Sequence, residues 1–330
     1  MPDHPNRASD IDGVLIQWGD RLFYPSNRIV KTQPAPKLNA IAAGQRAAAM
    51  RERIAATVVR RAPQVMVKVT GGGRCMKAIA AHFRYISKNG RLEIEDERGD
   101  KVRGKEVLPE LVDDWRLGGS AIDDIAEPGQ CREAFNIMLS MPSGTDPLTV
   151  QRAAREFAQI ELADHKYVMV LHDHQANPHV HLSVRAESKH GKRLNPRKAD
   201  LHRWRETFAE KLRGHGIDAE ATRQTTRGRS RNYEPLWRIK AREDGRLRTS
   251  RSQVKSTANA LSSRAAAVEA WREIARALAA SPENADRKLA QSVNEFVARM
   301  PQHDRSNQTV HLGEIPPRTQ NPIDIDRRGR

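Results

Sequence analysis

Two apolar, β-branched runs at residues 167–171 and 180–184 constrain the fold of this chain more than any other feature. A polar segment that contains Asn177 and Pro178 separates them. The pattern predicts a β-hairpin in which Pro178 stands where no strand ladder needs a backbone donor. Any fold proposed for this chain must therefore contain these two strands side by side.

Four of the twelve histidines lie in this hairpin. His179 and His181 are two residues apart, so a strand would direct both imidazoles to one face, and the neighbouring strand can bring His172 to the same place. Three converging imidazoles predict a metal site with open positions for water or substrate. The alternatives are a structural zinc site or surface histidines without a ligand. A closed zinc site needs a fourth protein ligand, and both Cys75 and Cys131 are far away in sequence.

The charge of the chain limits its partners. It has 330 residues with 57 basic against 41 acidic side chains, a net charge of +16. A field of this size indicates a polyanionic partner, and nucleic acid is favoured over an anionic membrane because no apolar run approaches the length of a bilayer span. The first residues lack the apolar core of a signal peptide. Two cysteines fit a reducing cytoplasm.

Strands and helices interleave between about residues 64 and 220, and the hairpins imply antiparallel strands. The predicted fold class is therefore α+β, with a central antiparallel sheet flanked by helices. Besides the hairpin, strands are expected at residues 65–69, 92–96, 101–103 and 133–141. Helices are expected at residues 75–87, 105–117, 147–164 and 199–214.

The predicted elements at the two ends of the chain differ from those of its centre. Residues 1–37 carry few periodic signals, whereas 38–60 predict one Ala-rich basic helix. Beyond the centre, 253–280 and 283–300 predict helices, and the polar tail 301–330 is typical of disorder. The expected division is an N-terminal, partly helical extension (1–60), a central domain (61–230), and a basic helical extension with a disordered tail (231–330).

An arginine-rich segment at residues 223–252 holds ten basic against three acidic residues. Nucleic-acid contact is favoured for it, and a solvated linker is the alternative.

The helix at 75–87 carries Tyr85 beside an apolar stripe, where a tyrosine is ordinarily a core-edge residue. Its surroundings favour a different interpretation, because a glycine turn (Gly71–Gly73), Arg74 and Lys77 suit an approaching anionic backbone.

An open metal tripod, a basic surface and a tyrosine suggest phosphoryl transfer with a covalent phosphotyrosyl intermediate. A free phenol is largely protonated at neutral pH, so it needs a base or the field of the metal. The sequence does not choose among three candidates for the base: His82, Asp173 and His174.

In three motifs the chain resembles the relaxases, or mobilisation nucleases, of conjugative and mobilisable elements, in the branch that contains the T-DNA border endonuclease. The first motif runs from Gly71 through His82 to Gly90 and places the nicking tyrosine of the family on Tyr85. The second runs from Ser140 to Thr145 and is thought to help hold DNA near the scissile site. In the third, the metal ligands of the family fall on His172, His179 and His181. The resemblance covers residues 64–230 and implies the HUH-type relaxase fold.

The resemblance implies a site- and strand-specific nickase that acts at a transfer origin, leaves a 5′-phosphotyrosyl link and rejoins the strand. It also implies Mg²⁺ or Mn²⁺ as the metal, although three imidazoles suit Mn²⁺ or Zn²⁺ better than Mg²⁺. Implied partners are a single DNA strand, accessory relaxosome proteins, and a type IV coupling protein or secretion channel. The implied location is the bacterial cytoplasm, with translocation to a recipient. The alternatives are a rolling-circle replication initiator and a non-catalytic DNA-binding accessory protein.

The chain departs from the family pattern at two positions. The family often has an acidic residue where this chain has His174, and asparagine where it has Arg185. Residues expected to contact DNA are Arg74, Lys77, Ser140, Thr145, Arg185, Arg223 and Arg227.

Overall fold

The computed structural model describes residues 7–24, 40–127, 131–228, 241, 244–246 and 254–300. The chain divides into two units, Met1–Met300 and Pro301–Arg330. The second unit, with its predicted disorder, lies outside the described residues, and so does most of the arginine-rich segment. None of the described helices is long and apolar enough to cross a bilayer.

Six strands form one sheet in the order β1-β4-β6-β5-β2-β3, and every neighbouring pair is antiparallel. This arrangement confirms the predicted α+β class and the histidine hairpin. The strands are β1 (Met66–Gly71), β2 (Ile94–Asp96), β3 (Lys101–Val102), β4 (Ala134–Ser140), β5 (His165–His172) and β6 (His179–Ser188).

Helices cover both faces of this sheet. The helices of the described residues are α1 (Arg7–Phe23), α2 (Ala40–Val58), α3 (Met76–Ile86), α4 (Val107–Leu117), α5 (Pro147–Glu161), α6 (Lys198–Gly214), α7 (Val254–Ala279) and α8 (Asn284–Ala298). On one face, α5 and α6 bury a core with Val180, Leu182 and Val184 of β6. On the other, α3 and α4 pack over Val168 and Val170 of β5. Successive strand residues point to opposite faces, so the odd-numbered residues of β6 share the face of α3 and α4.

The helices α1, α2, α7 and α8 form a helical cluster with its own apolar core, which includes Leu15, Ile54, Trp271 and Val293. Residues 1–37 carry few periodic signals, so the sequence did not give the bounds of α1, which lies there. Gly19 explains the weak pattern. A Cβ at this position would lie 2.2 Å from the Met50 sulfur, so the close approach of α1 to α2 requires glycine where a core residue would otherwise mark the helix.

Hydrogen bonds and ion pairs join the helical cluster to the chain around α6. The Thr226 hydroxyl donates to the Leu22 carbonyl over 2.8 Å, and the Trp271 indole donates to the Thr226 carbonyl over 2.7 Å. Buried Arg53 of α2 forms ion pairs with Glu206 of α6 and, at 3.3 Å, with Glu220. The division of the chain near residues 60 and 230 stays a prediction.

Candidate active site

Strand register assembles the histidines. In one row across β4, β6 and β5, Ser140 pairs with His179, which pairs with His172. In a second row His181 lies between Met138 and Val170. Directly opposite residues of antiparallel strands point to the same face, so all three imidazoles lie on the face covered by α3.

One ring nitrogen from each of His172, His179 and His181 lies within 4.8 Å of the corresponding nitrogens of the other two. All three side chains are buried. Nε2 of His172 donates to the Ile86 carbonyl over 2.7 Å, and Nδ1 of His179 donates to the Asn177 carbonyl over 2.9 Å. A carbonyl can only accept, so these nitrogens carry the hydrogens. The other nitrogen of each ring keeps a lone pair for a metal.

Burial also keeps the site in the protonation state that metals need. Burial and, to a smaller extent, the neighbouring imidazoles His172, His179 and His82 together lower the pKa of His181 to about 3. Burial likewise lowers the pKa of His172. Nδ1 of His181 is buried and has no hydrogen-bond partner among the described residues. Three buried imidazoles at this spacing fit a divalent cation.

Tyr85 stands beside this triad in the last turn of α3. Its ring is 68% exposed and its centroid lies 6.2 Å from that of His181. In the part of the chain that the structure describes, the phenol oxygen forms no hydrogen bond, so it is accessible to a substrate. The next residue, Ile86, supplies the carbonyl that orients His172. Tyr85 and the carbonyl that orients His172 therefore both lie at the C-terminal end of α3.

A tight turn ends α3 directly after this carbonyl. Lys88, Asn89 and Gly90 adopt positive φ angles of 51°, 57° and 79°. The fully buried Ser87 hydroxyl donates to the Phe83 carbonyl over 2.7 Å and accepts from the Gly90 amide over 3.0 Å. A Cβ at Gly90 would lie 2.3 Å from the Gly104 carbonyl group. The sequence predicted the stop at Asn89 and Gly90 but gave Ser87 no role.

The three candidate bases surround the site without contacting the phenol. The His82 ring lies 6.3 Å from that of Tyr85, and burial lowers the pKa of His82 to about 4, which makes it a weak proton acceptor. Asp173 and His174 are exposed in the turn between β5 and β6. The His174 ring lies 5.1 Å from that of His172.

The expected DNA contacts fall into different environments. Arg74 and Lys77 are exposed at the start of α3. Ser140 is buried in the row of His179. The Thr145 hydroxyl donates to the Pro142 carbonyl over 2.9 Å and so holds the loop before α5. The predicted glycine turn serves packing, because a Cβ at Gly72 would lie 2.3 Å from the Ala134 carbonyl oxygen.

Arg185 requires a correction. It is only 2% exposed, and its guanidinium donates to the backbone carbonyls of Trp115 and Ser120. A direct contact with DNA is therefore not available to it, and it instead holds the chain after α4 against β6. Arg223 and Arg227 lie after α6, where Arg227 donates to the Thr222 carbonyl over 3.3 Å. The structure does not bring these two arginines to the histidine site.

Comparison with known proteins agrees with this geometry. Residues 120–217 match the family model "Relaxase: MobA/VirD2-like, nuclease domain". We refer to this stretch, which is similar to the nuclease domain of relaxases, as the relaxase segment. The relaxase segment contains β4, β5, β6, α5, α6 and all three histidines of the triad, whereas Tyr85 precedes it.

Half of the chain is similar to the T-DNA border endonuclease VirD2 of three bacteria. It is 26% identical to that of Agrobacterium fabrum (strain C58) over 183 residues, which are 50% of this chain and 41% of the relative. It is 24% identical to that of Rhizobium radiobacter over 182 residues (50% and 43%), and 24% identical to that of Rhizobium rhizogenes over 183 residues (50% and 42%). The chain thus matches about two fifths of the length of these relatives. These similarities confirm the relationship predicted from the three motifs.

Proposed function

We propose that the protein is a site- and strand-specific DNA relaxase that nicks a transfer origin through Tyr85 and rejoins the strand during conjugative transfer. The observation that carries the proposal is the accessible ring of Tyr85, 6.2 Å from His181 in a buried triad of histidines. The relaxase segment at residues 120–217 supports the same function.

In the proposed reaction, the Tyr85 oxygen attacks the phosphorus of one phosphodiester and loses its proton to a base. The bond between phosphorus and the 3′ oxygen breaks, and the leaving oxygen takes up a proton. Phosphorus then links Tyr85 to the 5′ side of the cut, beside a free 3′ hydroxyl. The phosphodiester energy is kept in this link, so attack by a 3′ hydroxyl restores the strand.

His172, His179 and His181 would hold a divalent cation. When bound, such an ion supplies positive charge to the oxygens of the phosphodiester. Three imidazoles favour Mn²⁺ or Zn²⁺ over Mg²⁺. The exposed Lys77, on the same helix as Tyr85, and the exposed Arg74, just before that helix, would bind phosphates that flank the cut. Accessory relaxosome proteins and a type IV coupling protein, in a bacterial cytoplasm, complete the proposal.

An adduct assay tests this function. Labelled single strands that tile the DNA flanking the gene are incubated with protein and Mn²⁺, then separated under denaturing conditions. The expected result is labelled DNA linked to protein, together with a released fragment whose new 3′ hydroxyl a polymerase can extend. Free 5′-phosphate products without a protein link would indicate an ordinary nuclease and contradict the proposal. A nick that maps to a replication origin would favour the rolling-circle initiator instead.

A further inference from the structure

A second group of cationic side chains lies on α6 and the segment after it. Its central members are Arg205 of α6 and Arg223. The helix α6 packs on Val180 and Leu182 of β6, whereas His179 and His181 point to the opposite face of the sheet. These arginines therefore belong to a surface separate from the proposed active site.

Arg205 and Arg223 are neighbouring cations, and the charge of Glu206 compensates that of Arg205 only in part. Neither forms an ion pair within the residues that the structure describes, and Nη2 of Arg223 is buried without a hydrogen-bond partner there. Burial lowers the pKa of both guanidinium groups, and the charge of Arg205 lowers that of Arg223 further, as expected for neighbouring cations. The adjacent Arg53, by contrast, is neutralised by Glu206 and Glu220.

His202 adds unused polar atoms to the same place. Its side chain is buried, and neither ring nitrogen has a hydrogen-bond partner in the described chain. Burial lowers its pKa, and Arg205 and Arg223 are among the charges that lower it further. The Glu206 carboxylate, 3.6 Å from Nε2, raises this pKa and so partly opposes them. A buried imidazole between unpaired guanidinium groups costs free energy unless a ligand completes its hydrogen bonds. An anion would compensate both the arginines and the imidazole.

An aromatic surface borders this group. Tyr24 is 47% exposed, and its ring centroid lies 6.3 Å from that of His202. The Arg53 guanidinium lies 4.9 Å from the Tyr24 ring. A cavity lined by Tyr24, Arg46 and Arg53 opens beside it. Cationic donors next to an accessible aromatic face are the combination with which proteins hold single-stranded nucleic acid.

We infer that Arg205, Arg223, His202 and Tyr24 form a second binding pocket for single-stranded DNA. One phosphate would accept hydrogen bonds from the two guanidinium groups and the imidazole, and the neighbouring base would stack on Tyr24. The inference rests on the proposed function only in taking DNA as the polyanionic partner. Such a pocket would hold the strand away from the site of chemistry.

Binding of a fluorescein-labelled oligothymidine strand, followed by anisotropy over a salt series, tests the pocket. The Arg205→Gln/Arg223→Gln double variant should lower the slope of log affinity against log salt by about 0.7, the value for one lost phosphate contact. Arg203→Gln is the matched control on the same helix, because Arg203 is already paired with Glu161 and Asp200. Arg203→Gln should have the same salt slope as the wild type. Unchanged binding in the folded double variant would overturn the inference.

The stacking part has its own test. Tyr24→Leu should weaken binding of the strand about tenfold, whereas Tyr24→Phe should bind like the wild type. Equal affinity of Tyr24→Leu and wild type would overturn the stacking. Adduct formation at Tyr85 is a separate readout. If the wild type forms the adduct and the pocket variants bind normally, only the pocket is refuted. If the pocket variants lose binding and the wild-type protein forms no adduct, only the proposed function is refuted.

Discussion

Burial distinguishes the histidines of the triad from the exposed histidines of the chain. His179→Ala and His181→Ala should each abolish Mn²⁺ binding, because two imidazoles retain neither the affinity nor the geometry of three. Isothermal titration calorimetry measures this effect. His190→Ala is the control, since that side chain is 67% exposed and lies 3.6 Å from the Asp164 carboxylate, away from the triad. Undiminished binding in both triad variants would mean that the three histidines do not form a metal site.

The protonation of His82 should be visible in stability. Its pKa falls from 6.5 to about 4 in the folded chain, because burial disfavours the cation. The unfolded chain therefore binds a proton below pH 6.5 that the folded chain refuses until about pH 4. The free energy of unfolding of metal-free protein should be retained above pH 6.5 and fall as the pH drops through this interval. Urea unfolding of wild type and His82→Gln checks this, and the variant should show the smaller decrease. Equal pH dependence in the two proteins would contradict the assignment.

Residue spacing predicted the triad but not Arg185. His179, His181 and Arg185 all have odd numbers on β6, and alternation correctly places them on one face. Alternation does not tell which element covers each position. The end of α4 and the chain after it lie over Arg185 and accept its hydrogen bonds at Trp115 and Ser120. That cover comes from a distant part of the sequence, so no local pattern reports it.

Among the elements, α3 and its terminal turn link the proposed nucleophile to the metal site. Ser87→Ala should lower the free energy of unfolding by about 1–2 kcal/mol, since it leaves the Gly90 amide without its buried acceptor. It should also weaken Mn²⁺ binding, because the turn positions the Ile86 carbonyl that orients His172. Urea unfolding and calorimetry measure the two effects. Ser143→Ala, at an exposed position, should change neither. A Ser87→Ala variant as stable as wild type would refute the role of the turn.

The sequence predicted elements well where one periodicity was unbroken. The stripe Met76, Ile79, Phe83 and Ile86 predicted α3 within a residue at each end, and all four side chains are buried. It did not reveal α1, because Gly13 and Gly19 interrupt its apolar positions at Ile11, Leu15 and Leu22. Only the packing of Gly19 on Met50 explains why glycine stands there.

At the scale of the whole molecule, a buried charge on α2 forms ion pairs with α6 and the chain after it. Arg53 is 8% exposed and pairs with Glu206 and the buried Glu220. Arg53→Ala should lower the free energy of unfolding by about 3 kcal/mol, because it leaves the buried Glu220 with a more distant cation, Arg213 at 3.8 Å. Arg276→Ala, on the exposed side of α7, is the control and should cost less than about 1 kcal/mol. Equal stability of the two variants would contradict this account of how α2 is tied to α6.

Mass-spectrometric mapping of the DNA-linked peptide tests the central claim most directly. The chain has four tyrosines: Tyr24, Tyr85, Tyr167 and Tyr233. We expect the adduct formed with a transfer-origin strand to lie on Tyr85 alone. Tyr85→Phe, which loses one exposed oxygen, should form no adduct while keeping its stability and its affinity for the strand. An adduct on another residue, or one that persists in Tyr85→Phe, would contradict the assignment of Tyr85 as the nucleophile.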